Sequence, residues 1–350
     1  MSFLLRVEGV NQSSFIFDTQ DLSTVRGAGL LLLDVAVKVE KVLDDLGCTA
    51  DPIIKGASVG LFRVYTEEEA PDAGERVAED VRAAVAAALE GWLPHATCVV
   101  DVDVDTNDDD GPAPRARLLT ANRWRQMQAP SVVYPSLARL RQPEEACMID
   151  KVRPAVHDIP SLGDKRLQSA ATYQRRTYGR DQKHNFYEAE IQRVGAPSTE
   201  RRDYTQDFDE LCGNSKQWGN LSDKMAVIYL DGNKFSAFTT QHDRDADLRA
   251  FSEGLRCEQA RILRALIEKK IDGNSDWENN KKIRLETLLW GGDEIIWVVP
   301  AWKGWDVLHF FCGSVPPTHI QPGSRVTMHL PIARVSFSAT KRRPSAPSSI

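Results

Sequence analysis

The chain has few cysteines, no long apolar run and no excess of positive charge, and each shortage removes a class of protein. Its six cysteines, Cys48, Cys98, Cys147, Cys212, Cys257 and Cys312, are scattered over 350 residues with no close pair. A disulfide framework is therefore not expected; buried, reduced thiols in a reducing compartment are. No apolar run, Leu30 to Leu33 among them, approaches the ~20 residues a bilayer span requires. The first residues also lack the basic, apolar and small-residue succession of a secretion signal. A cytoplasmic protein with no membrane partner is the expectation. The formal charge of -6 argues against binding nucleic acid over the whole surface.

What is present is a globular composition: 42% hydrophobic, 27% charged, mean hydropathy -0.37. The length suits two domains, each able to bury its own core. Phe3 to Val10 alternates as a strand does, and a long helical pattern runs from about Leu22 to Leu46. A strand-like stretch from Ile53 to Tyr65 follows, with glycines at Gly56 and Gly60. Then come a helix carrying Val77, Val81, Val85, Leu89 and Trp92 on one face and a strand from Cys98 to Val104. The order predicts helices packed on one face of a mostly antiparallel sheet.

From Asp105 to about Lys224 the composition shifts to Asp, Gly, Pro, Arg and Gln, which predicts an irregular connector with a few short helices. Within it Arg175, Arg176, Arg180, Lys183 and His184 lie among Tyr173, Tyr178, Phe186 and Tyr187. Such interleaving could grip RNA, and a solvated helix with core aromatics is the plainer reading.

At Met225 the earlier order restarts. Met225 to Leu230 is an almost wholly apolar run ending in Asp231-Gly232-Asn233-Lys234-Phe235, a helix is predicted from about Asp245 to Ile271, and two strands, Leu285 to Trp290 and Ile295 to Val299, flank Gly291-Gly292-Asp293-Glu294. The sequence thus reads as an internal duplication, with Lys55-Gly56-Ala57-Ser58 where the second copy has its glycines and acids. The predicted fold class is α+β: two ferredoxin-like palm domains over 1–105 and 225–340, joined by the connector 106–224, with a tail 341–350. Arg325 to His329 or Ile332 to Ser338 would supply a closing strand, and the basic tail Lys341-Arg342-Arg343-Pro344 reads as a disordered end.

Chemistry concentrates in the second copy. A hairpin turn with two glycines projects carboxylates from a tight bend and leaves room for a phosphate. A strand ending at Asp231 would aim a third acid at the same point. Three converging acids repel one another unless a cation sits between them, and hard oxygen ligands select Mg²⁺ or Mn²⁺. Asp231, Asp293 and Glu294 are therefore the candidate catalytic and metal-holding residues for phosphoryl or nucleotidyl transfer. Either motif alone is more often a structural turn; both, each following an apolar strand and separated by an amphipathic helix, point to chemistry.

Tyr229-Leu230-Asp231-Gly232-Asn233-Lys234-Phe235 and Leu289-Trp290-Gly291-Gly292-Asp293-Glu294 resemble the two palm motifs of the large polymerase-cyclase subunit of type III CRISPR effector complexes and, more distantly, GGDEF cyclases. Phe17 to Gly29 resembles that family's first, inactive palm. The resemblance implies that two ATP molecules sit between the palms and are joined into cyclic oligoadenylate, or a linear product, in antiviral signalling. It implies nucleotide contacts at Gly232, Asn233, Lys234 and Phe235, at Gly291 and Gly292, and, for the acceptor, at Gly56, Ala57 and Ser58. Other nucleoside triphosphates, RNA, effector subunits and a second copy of the chain are the further partners it implies.

Departures from the family are also expected. Glu294 stands where an aspartate is usual, and the connector has no zinc knuckle because Cys147 and Cys212 lack CxxC partners. The family's nuclease and C-terminal helical domains have no counterpart, which suggests a compact form. A nucleotide-binding or RNA-complex scaffold without turnover is the alternative reading. His157-Asp158 and His242-Asp243 read as structural pairs. Asp101, Asp103 and Asp105 fail the EF-hand template and read as part of a solvated acidic loop.

Overall fold

The computed structural model describes residues 1–67, 74–104, 110–130, 146–158, 167–195, 202–231, 242–292, 294–314 and 334–336. The chain forms two compact units that interleave in sequence. One comprises Met1–Gln182, Lys234–Arg256 and Trp290–Gly292; the other comprises Lys183–Asn233, Cys257–Leu289 and Asp293–Ile350.

The first unit runs β1 (Ser2–Val10), α1 (Leu22–Leu33), α2 (Val35–Asp45), β2 (Thr49–Gly56), β3 (Val59–Tyr65), α3 (Gly74–Trp92) and β4 (Thr97–Asp103). The sheet order is β2-β3-β1-β4, with every neighbouring pair antiparallel. That is the split βαβ arrangement of a ferredoxin-like palm. The helical pattern predicted from Leu22 to Leu46 is two helices, because Asp34 ends one and precedes the next. Asp21 caps α1 by accepting from the Thr24 N–H at 2.9 Å. The stretch predicted from Ile53 to Tyr65 is a hairpin, turned by Ala57 and by Ser58 at φ 58°.

The connector holds longer helices than its composition suggests: α4 (Pro112–Gln128) and α5 (Ala170–Arg193). Much of what they bury is polar or small, with Leu118, Phe186, Tyr187 and Ile191 among the few large apolar side chains, so they carry little apolar periodicity. All twelve residues of α1 are buried, and Gly27 of α1 meets Gly179 of α5 backbone to backbone. Arg26, 1% exposed, donates to the Gly179 carbonyl at 2.7 Å. Arg175 is also buried and pairs with Asp18, which Arg153 holds at 2.6 Å. The expected basic patch is thus partly internal. Lys183, in the second unit, is buried against Glu286 at 2.8 Å.

α4 covers one face of the first sheet, which corrects the reading of its acids. Asp101 is 2% exposed, accepting from Asn122 at 2.9 Å and Arg125 at 2.6 Å, and Asp103 pairs with Arg117. Each acid on that strand is neutralised rather than solvated; Asp105 and residues 107–109 lie outside the described residues.

The second unit is built on β5 (Met225–Asp231), α6 (Asp245–Leu266), β6 (Glu286–Gly291), β7 (Glu294–Pro300), α7 (Gly304–Ser314) and β8 (Arg334–Ser336). Its sheet order, β6-β7-β5-β8, repeats the first unit's order position for position. β8 falls within the predicted stretch Ile332 to Ser338; residues 325–329 and 341–344 lie outside the described residues. The N-terminal half of α6 clusters with the first unit. There Asp245 accepts from Arg63 at 2.8 Å and from Arg115 at 2.8 Å, all three side chains being less than a tenth exposed. Among the described residues no helix is long and apolar enough to cross a membrane.

Candidate active site

The site grows from the central strand of the second sheet. On β5, Ala226, Ile228 and Leu230 are buried in the core, whereas Met225, Val227 and Tyr229 are half-buried and Asp231 is exposed at the strand's end. Period-two alternation therefore places Tyr229 and Asp231 together on the open face. β7 pairs antiparallel with β5 so that Glu294 stands directly opposite Asp231. Side chains opposite each other on one face have Cβ atoms about 4.5–5.5 Å apart. Two carboxylates are thereby held side by side.

The turn between β6 and β7 needs its glycines for two reasons. Gly291 has φ 135° and Gly292 φ 61°, left-handed values that favour glycine. A Cβ on Gly291 would also lie 2.8 Å from the Ala57 nitrogen, and the space around Gly292 is open. Gly56 is in the same neighbourhood, with the Gly292 nitrogen 3.8 Å from where its Cβ would be. Gly56, Ala57, Gly291 and Gly292 are thus brought together. Ser58 lies fully buried beneath its turn, its N–H donating to the Leu32 carbonyl at 2.7 Å and its carbonyl accepting from the Gly9 N–H at 2.9 Å. Asp293, Gly232, Asn233, Lys234 and Phe235 lie outside the described residues.

The electrostatics of the pair are unusual. Among the described residues Asp231 has neither an ion pair nor a hydrogen-bond partner, and Glu294 has one partner, the Tyr229 hydroxyl, which donates to its Oε1 at 2.5 Å. Adjacent carboxylates without a protein cation suit a hard divalent cation with oxygen ligands, so the residues present fit Mg²⁺ or Mn²⁺. Among the described residues no three acids, histidines or cysteines gather as a metal site; Asp231 and Glu294 are two, and Asp293 lies outside that set.

Strand register identifies a residue that sequence reasoning missed. In the first sheet β1 occupies the place of β5, and Glu8 stands opposite Val59 as Asp231 stands opposite Glu294. Glu8 is thus the counterpart of Asp231, with Ser58 and Val59 where the second copy has Asp293 and Glu294. Glu8 is 6% exposed and bracketed by Arg6 at 2.6 Å and Arg123 at 2.7 Å. One copy neutralises this acid internally; among the described residues the other does not. Arg6 is two residues from Glu8, but Arg123 lies on α4, more than a hundred residues away, and no local pattern announces it.

The other residues singled out in the sequence stand elsewhere. His242 packs against Phe251 with ring centroids 5.3 Å apart, and its carbonyl accepts from Arg115. His157 and Asp158 lie in a two-residue strand paired with Leu167 and Gln168. Cys147 is buried against Thr172 at 3.4 Å, and burial pushes the Cys212 thiol up to about 12.

Two antiparallel sheets of the same order, each closed by helices, define a mixed α+β palm fold. Solved structures share it. The apo Csm1-Csm4 cassette superposes with a TM-score of 0.52 at 13% identity, over 88% of this chain and 46% of that one. The Csm1-Csm4 cassette in complex with one ATP gives 0.53 at 13% identity, over 88% and 47%. Csm1 of T. onnurineus gives 0.50 at 14% identity, over 88% and 45%. The chain spans about half the length of the structures it matches, and at this identity the likeness is one of fold. No protein-family model and no curated protein matches it.

Proposed function

We propose that this chain is a nucleotidyltransferase of the type III CRISPR kind, joining ATP into cyclic or linear oligoadenylate, with Asp231, Asp293 and Glu294 holding Mg²⁺ or Mn²⁺. One observation carries the reading: Asp231 and Glu294 are opposed across a strand pair with no protein cation among the described residues, whereas the counterpart acid Glu8 is ion-paired. The fold supports it, since Csm1-Csm4 cassettes of this fold have been solved with one ATP, with cA3 and with cA4.

In this reading the bound metal would activate a ribose hydroxyl and stabilise the departing pyrophosphate. The chain's own residues supply position. Gly291 and Gly292 keep side chains out of the bend where a triphosphate approaches, and Gly56 and Ala57, packed against that bend, serve the nucleotide with Ser58 beneath them. Gly232, Asn233, Lys234 and Phe235 follow Asp231 directly and are assigned to the triphosphate. RNA, effector subunits and a second copy of the chain are the partners this function implies.

The test is incubation of the purified chain with each nucleoside triphosphate and Mg²⁺ or Mn²⁺, with products weighed by mass spectrometry and pyrophosphate release measured. Oligoadenylate is expected from ATP, and its loss in Asp231→Ala and Asp293→Ala variants of unchanged thermal midpoint. ATP binding without pyrophosphate release would favour a silent nucleotide-binding scaffold instead. Turnover by the variants equal to the parent would remove the catalytic assignment.

A further inference from the structure

The geometry points to Tyr229 as a positioning residue that makes Glu294 usable as a metal ligand; we propose this as an extension that rests on the function proposed above. Tyr229 and Asp231 are two residues apart on β5 and share its open face, while Glu294 is the register partner of Asp231. The Tyr229 hydroxyl donates to Glu294 Oε1 at 2.5 Å, so the phenol fixes one carboxylate oxygen and leaves Oε2 for another partner.

The need for such a tether follows from side-chain chemistry. Glutamate has one more methylene and one more rotatable bond than aspartate, so its carboxylate sweeps a larger volume and loses more freedom when held. Mg²⁺ demands near-octahedral oxygens at about 2.0–2.1 Å, which places neighbouring ligand oxygens about 3 Å apart. A wandering glutamate meets that requirement poorly. One anchored by a charge-assisted bond, with Asp231 opposite, meets it without ordering at the moment of binding. Tyr229 touches neither metal nor substrate in this account; it acts through Glu294.

Mn²⁺ binding, read from the electron paramagnetic resonance signal of the free ion, tests the proposal without any turnover. The parent chain, Tyr229→Phe, Glu294→Gln, their double variant and Asp231→Asn would be titrated, with thermal melts confirming folding. Tyr229→Phe is expected to weaken Mn²⁺ about tenfold, the size of one hydrogen bond to a charged group. In the Glu294→Gln background the same change is expected to do nothing, because the carboxylate it positions is gone. Should Tyr229→Phe fail to fold, Tyr229→Met removes the hydroxyl while keeping apolar bulk, and the same shift is expected. Unaltered affinity in Tyr229→Phe, or an equal loss in both backgrounds, overturns the role of Tyr229 while leaving the metal site standing. Failure of the parent to bind Mn²⁺ removes the site and the tether together.

Discussion

A single methyl group on Gly27 would test how the first unit is held together. A Cβ there would lie 1.7 Å from the Arg175 carbonyl oxygen, 2.6 Å from its carbon and 2.8 Å from the Gly179 nitrogen. All three are backbone atoms of α5, so no side chain can swing aside. To reach even the 3.0 Å floor, α1 and α5 must part by roughly 1.3 Å, loosening contacts along a helix buried over its whole length. Overpacking of this kind costs about 1–3 kcal/mol and more where backbone must move, while alanine returns about 1 kcal/mol of helix propensity. A net loss of about 2 kcal/mol is expected, a fall of about 4–8 °C in Tm for a unit of this size. Gly91→Ala in α3 is the control: nothing lies within 4 Å of its Cβ position, so propensity alone acts and Tm should rise slightly. Scanning calorimetry on both variants decides. A Gly27→Ala Tm equal to the parent's would refute the close helix contact.

Removing Asp245 should be comparably severe, since Asp245→Ala strands Arg63 and Arg115 in the interior without their shared carboxylate. A loss of about 3–5 kcal/mol in urea unfolding is expected, and a loss below ~1 kcal/mol would contradict the clamp. Burial, together with the charges of Arg153 and Arg175, holds His95 down at about 4, from an ordinary value of 6.5. The unfolded chain therefore takes up this proton below 6.5 while the folded one does not until about 4, so the group's contribution to stability falls as pH drops through that window. The decline in Tm between those pH values should be shallower in His95→Gln; identical slopes would refute it.

Much of the fold was legible because periodicity carries it. The apolar run before Asp231, the strands about Gly291-Gly292 and the stripe on α6 each announced themselves within one short window, and together they gave the duplicated order that the two sheets share. What was not legible depends on partners distant in the chain. α4 and α5 look like connector because their inward faces mix arginine, asparagine and glycine with only a few apolar residues such as Leu118, Tyr187 and Ile191; the acids that satisfy Arg123, Arg125 and Arg175 lie on β1, on β4 and at Asp18. Asp101 read as solvated for the same reason. Of the candidate site, strand order aimed Asp231 at the Gly291-Gly292 hairpin, but the pairing of Asp231 with Glu294, the tyrosine tether and the ion-paired Glu8 required register, which no composition or motif encodes.

Asp231 and Glu294 are proposed to hold one divalent ion between them at a bound triphosphate. Crystals of the chain grown with Mn²⁺ and a non-hydrolysable ATP analogue test it most directly, through the anomalous signal of the metal. A peak is expected within roughly 2.5 Å of an oxygen of each carboxylate and in contact with the analogue's phosphates. Ordered nucleotide with no metal between these two side chains would contradict it.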